Sequence, residues 1–124
     1  MENNRIQQED ALRAVIEYNK KLVPALEEVM IELKGNYKED TTKYLTYILK
    51  GVNWVIEVVN GTRSLLDENK EVVKKDEVNQ IIITLNQAVK DENNVEIANI
   101  IECGILPFIL NITDAANDIL SSEE

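Results

Sequence analysis

Residues 100–110 read IIECGILPFIL, and they hold the first side chains that could do chemistry: the Glu102 carboxylate and the Cys103 thiol, just before Pro107. A carboxylate enclosed by apolar residues acquires a raised pKa and becomes a candidate general base or ligand-binding group. Two other readings compete: a structural polar residue at a helix edge, and a face that receives a partner protein. The remaining inventory favours the structural one. The chain has no histidine, which removes the serine and cysteine triads, the usual zinc sites and the Glu-x-x-His pairs of di-iron bundles. No second carboxylate shares the arc of Glu102. Cys103 is the single cysteine, so no intramolecular disulfide is expected. A nucleophilic thiol needs electropositive surroundings, and the local charges here are Glu96 and Glu102. DENNVE lacks the turn glycine of a calcium loop, and GVNWVIEVVNG lacks the spacing of a phosphate-binding loop. No catalytic residue, metal ligand or cofactor site is expected.

Composition bounds the partners. The 124 residues carry 23 acidic and 13 basic side chains, a formal charge of −10. Such a field repels nucleic acid and anionic membrane surfaces, which leaves a protein partner or a second copy. KEVVKK (Lys70 to Lys75) reads as a solvated helix end. The N-terminal residues lack the basic and apolar regions of a secretory signal, so a cytoplasmic setting is expected. Val95–Ile112 has the length of a membrane span, but Glu96, Asn99, Glu102 and Asn111 interrupt it, and a buried amphipathic helix fits better.

The elements that must position these residues are helices. At 44% hydrophobic residues, with four Gly and two Pro, the chain is apolar enough to fold and too poor in breakers for an all-β fold. Start and stop signals predict a four-helix antiparallel up-down bundle, a single domain over residues 1–124, with helices near 5–34, 40–66, 76–90 and 94–120. Gly35 is placed to end the first helix. Asp40 or Thr41 caps the second, Asp76 the third, and Asn93 with Glu96 forms a capping-box pattern opening the fourth. Residues 67–75 read as a loop or as an extension of either flanking helix.

The second helix is apolar around well over half its circumference. Such a helix is either central in the bundle or covered by another chain. Trp54 sits at the margin of that face with Tyr47. Core packing at an edge is the plain reading; an aromatic anchor in a dimer or partner surface is the sharper one. The first and last helices each carry one proline. With Pro24 aligned on Pro107, Asn19 and Glu102 coincide as the polar residue within each apolar arc. Each proline withholds an amide from the carbonyl four residues earlier, at Lys20 and Cys103, and bends its helix. A polar residue beside the opened turn can hold water or a partner group there. Glu102 is placed at the level of Leu26 on the first helix and of Tyr44 and Tyr47 on the second.

The segment DENNVEIANIIECGILPFI resembles a pattern found in small, uncharacterised bacterial helical-bundle proteins, carried here by Glu102, Ile105, Leu106 and Pro107. The resemblance implies a bacterial source and a helical bundle, and supplies no activity. In size, acidity and helical content the chain is also similar to flagellar export chaperones, without a shared motif. The sequence therefore points to a non-enzymatic interaction module that self-associates through its second helix. An adaptor that lays a partner helix beside Trp54, or a small-molecule binder using Glu102, is the alternative. The residues singled out are Trp54, Tyr47, Tyr44, Asn19 and Glu102.

Overall fold

The structure is a computed structural model that describes residues 2–35, 38–66 and 75–122. It is all-α, with no strand among the described residues. Helix α1 spans Glu2–Lys34, α2 Thr41–Gly61, α3 Arg63–Leu66 and α4 Lys75–Lys90. A last rod consists of α5 (Asn94–Ile100), a π-helical segment (Ile101–Ile105) and α6 (Leu106–Ser122). The four predicted helices are therefore present. Most of the stretch predicted as loop or helix extension, and the lysine-rich patch within it, lies outside the described residues.

Local chemistry accounts for the ends. α1 presents Leu12, Val15, Asn19, Leu22, Leu26 and Val29 to the core at spacings of three and four, while Pro24 faces outward. Its helix runs unbroken through that proline, so the opened turn expected at Lys20 does not register as a break. α2 stops at Gly61, five residues before its predicted end, because Thr62 competes for its carbonyls. The Thr62 hydroxyl donates to Val58 O at 2.7 Å, where its own amide also bonds. Such back-bonding offers the chain an alternative to the helical ladder. Leu65 and Leu66 then donate to Thr62 O and restart the helix as α3. Asp40 occupies the N-cap of α2 without a side-chain cap bond. Thr41 does the polar work instead: its hydroxyl accepts from the Lys38 amide at 2.8 Å and donates to the buried Glu32 carboxylate at 2.7 Å.

The α4–α5 joint follows the Schellman pattern: Asn93 N–H bonds Ala88 O, and Glu92 N–H bonds Val89 O. Glu92 takes the left-handed conformation there, at φ 54°, a place where glycine is the usual residue. The Asn93 side chain then accepts from the Glu96 amide at 3.2 Å, the forward half of the expected capping box.

α1 is the hub. It packs on α2, α5, the π segment and α6, whereas α4 leans chiefly on α5. Contacts between α1 and α2 run in opposite order, from Thr41–Glu32 through Tyr44–Glu28 to Gly61–Gln8. The same holds for α1 and the last rod, with Lys34 against Glu102 and Asn19 against Thr113. The core is formed where Leu26, Val29 and Val15 meet Ile48, Val52 and Val55 of α2 and Ile101, Ile105, Ile109 and Ile112 of the rod. The rod (Asn94–Ser121) is the one stretch among the described residues long and apolar enough to cross a membrane, and its apolar side faces this core.

Candidate functional site

Two places hold the residues that sequence chemistry singles out. The first is the π segment. The Leu106 amide bonds Ile101 O, five residues back, and Pro107 has no amide to offer Cys103 O. The widened turn therefore sits just ahead of the proline, where the sequence predicts a disturbed ladder. Ile101 and Ile105 point into the core, and the residues between them divide over two surfaces.

Glu102 lies on one of those surfaces. Its side chain is 50% exposed and its Oε2 accepts from Lys34 Nζ at 2.7 Å. That level is Lys34, two turns beyond Leu26, so the rod is displaced along α1 relative to the expected register. Tyr44 does not reach Glu102; its hydroxyl donates to Glu28 at 3.3 Å. Burial, then the Glu28 charge and hydrogen bond, then the Glu32 charge raise the Tyr44 pKa above the ordinary tyrosine value. A solvent-facing pair of this kind contributes about 0–1 kcal/mol.

Cys103 and Gly104 turn the other way, towards α4. They line an open groove of about 550 Å³ with Ile81, Thr84, Glu96 and Ile100 among its walls. Ile81 lies close enough that a β-carbon at Gly104 would meet it at 3.3 Å. Glu102 is not part of this groove. The carboxylates on it are Glu77 and Glu96, and the thiol is exposed. Sequence reasoning missed the groove, because it forms between residues of α4 and of the last rod that no local pattern brings together. Among the described residues no three potential metal-ligating side chains cluster.

The second place is the outer side of α2. Tyr47 is 72% exposed and Trp54 37%. Trp54 meets Tyr18 of α1 edge-on, with ring centres 5.3 Å apart and planes at 77°, the arrangement aromatic quadrupoles favour. Gly51 makes room for this: an added β-carbon there would collide with the Tyr18 hydroxyl and lie 2.8 Å from Cζ. Burial, with a smaller contribution from the nearby Tyr47, raises the pKa of Tyr18. Tyr18 thus fills the space over Gly51 and meets Trp54, which is held by packing before any partner arrives.

Asn19, the helix-1 counterpart of Glu102 by alignment, is fully inside. It is 2% exposed and donates through Nδ2 to Thr113 Oγ1 at 2.9 Å, leaving its Oδ1 without a hydrogen-bond partner among the described residues. Tyr47 and Trp54 are thus both exposed on α2, while Asn19, Glu102 and Tyr44 engage different partners, Thr113, Lys34 and Glu28. Glu32 is a second inward polar residue, and sequence reasoning passed over it. Its position, one turn after the core residue Val29 and beside Leu33, was the available signal.

A family model for a domain of unknown function, DUF8042, matches residues 10–115. The chain belongs to the DUF8042 family. The match takes in Asn19, the α2 aromatics, the groove and the π segment of this DUF8042 chain, and it carries no activity with it. No curated protein and no solved structure matches the DUF8042 chain.

Proposed function

We propose that this protein is a non-enzymatic interaction module of the cytoplasm that self-associates through α2. The observation that carries the reading is the exposed pair Tyr47 and Trp54, with Trp54 already fixed against Tyr18. An aromatic anchor held in place before binding loses little side-chain entropy on association. The position of α2 supports it too. The most apolar of the long helices up to the rod would be expected at the centre, yet α1 is the hub and α2 packs chiefly on α1 and α3. Its outer side remains for another chain. The bacterial source suggested by the Glu102–Pro107 segment belongs to the same reading.

The test is sedimentation velocity over a wide range of protein concentration, paired with thermal unfolding. Self-association gives a concentration-dependent mass and a melting temperature that rises with concentration. A monomeric mass and a constant melting temperature would remove the reading.

A further inference from the structure

The outer side of α2 has a regularity that the aromatic pair alone does not explain. Lys43, Tyr47, Lys50, Trp54, Glu57 and Gly61 follow one another at spacings of four, three, four, three and four. That is the a/d repeat of a coiled-coil seam, on the exposed side of α2, where Trp54 and Gly61 also touch Tyr18 and Gln8 of α1 at the margin. All six residues are exposed. Within the described residues Lys43, Lys50 and Glu57 make no salt bridge in their own chain, although three other pairs do.

The charge of α2 fits the same occupant. Thr41–Gly61 holds two lysines and one glutamate, +2 − 1 = +1, within a chain of net charge −10. Two such acidic bodies meet with least repulsion along this helix. A second copy laid antiparallel, with its two-fold axis at the level of Val52, then sets each seam residue against a complementary one. Lys50 comes over the indole of Trp54 of the second copy, a cation–π arrangement. Tyr47 sits opposite the Glu57 carboxylate, to which its hydroxyl can donate. Lys43 reaches Gly61 at the C-terminal end of the opposing helix, where the helix dipole favours a cation and the missing side chain leaves space. Each pairing occurs twice by symmetry. A parallel arrangement sets Lys43 on Lys43, Lys50 on Lys50 and Glu57 on Glu57.

We infer that the partner of this surface is a second copy of the chain, joined as an antiparallel α2–α2 pair in which Lys50 meets Trp54, Tyr47 meets Glu57 and Lys43 meets Gly61. This inference rests on the self-association proposed above. The seam is about 27 Å long at 1.5 Å per residue, a contact at the small end of specific interfaces, so the dimer is a weak, reversible one.

The test uses Tyr47→Cys and Glu57→Cys proteins, each in a Cys103→Ser background, with a short bifunctional thiol cross-linker. Both substitutions lie on the exposed side, and circular dichroism of each variant verifies the fold. The antiparallel seam gives cross-linked dimer when the two proteins are mixed and much less from either alone. In a separate sedimentation series, Lys50→Gln weakens the dimer roughly tenfold, the effect of two exposed cation–π contacts. If wild-type protein dimerises but Tyr47→Cys cross-links to itself as well as to Glu57→Cys, the register is overturned and self-association survives. A wild-type chain that stays monomeric throughout the concentration range overturns both.

Discussion

Gly51→Ala is the sharpest test of how α1 and α2 are fitted together. In an open helix interior this change stabilises by about 1 kcal/mol, because glycine is the poorer helix former. Here the new β-carbon falls inside contact distance of the Tyr18 hydroxyl and 2.8 Å from its ring carbon Cζ. Tyr18 must swing aside, giving up its edge contact with Trp54, a contact of about 0.5–1.5 kcal/mol. Overpacking of the helix pair adds about 1–3 kcal/mol. The net expectation is destabilisation by about 1–2 kcal/mol. With Tyr18 first truncated to alanine, the obstruction is gone and Gly51→Ala returns to its intrinsic gain of about 1 kcal/mol. The coupling between the two sites is therefore about 2–3 kcal/mol, the range of residues in direct contact. Tyr18→Phe relieves the clash only in part, since Cζ remains. Urea unfolding followed by circular dichroism supplies the four free energies, and Trp54, the lone tryptophan, reports displacement of Tyr18 by its emission. Gly51→Ala that stabilises the unmodified protein by about 1 kcal/mol, with unchanged emission, would show that Tyr18 does not fill this space and refute the account.

Three other perturbations have defined outcomes. Glu92→Gly relieves the left-handed residue of the α4–α5 joint and raises stability by about 0.5–1 kcal/mol, measured as a higher urea midpoint at unchanged slope. Asn19→Leu removes a buried carbonyl oxygen that has no partner among the described residues and leaves Thr113 bonded to Ile109 O; the expected change lies between neutral and about 1 kcal/mol of added stability, and a loss above about 2 kcal/mol would mean that Asn19 is satisfied. Tyr44 ionises at higher pH than an ordinary tyrosine because of burial and Glu28. A raised folded-state pKa means its contribution to stability is complete below the unfolded tyrosine value near 10 and is lost as pH rises through the folded value. Glu28→Gln moves that alkaline loss to lower pH, read by absorbance titration of the tyrosinate.

What the sequence makes legible is local. The end of α1 at Lys34, the end of α4 at Lys90 and the Asn93 side-chain bond to the Glu96 amide depend on a few neighbouring residues, and the structure has all three. The division of α2 at Thr62 was less visible, because back-bonding by a threonine hydroxyl leaves no mark in the apolar periodicity. Glu102 fared worse. Its environment depends on how far the rod slides along α1, and that displacement is settled by packing between helices distant in sequence. The equivalence of Asn19 and Glu102 failed for a related reason. Equal distance from a proline ensures equal facing only when both helices wind alike, and α1 stays regular where the rod does not.

That difference in winding has a consequence for how the rod stays in the core at all. Ile97, Ile101, Ile105 and Ile109 are buried at successive steps of four residues. On a regular helix three such steps overshoot three full turns by about 120° at 100° per residue. The apolar line would wander off towards solvent. A π turn acts as a one-residue insertion and rolls the line back by about 100°. The four isoleucines therefore stay in phase, and the rod carries one residue more than its path needs. Deleting that surplus, either Glu102 or Cys103, leaves apolar steps of four, three and four, the phase of an ordinary helix.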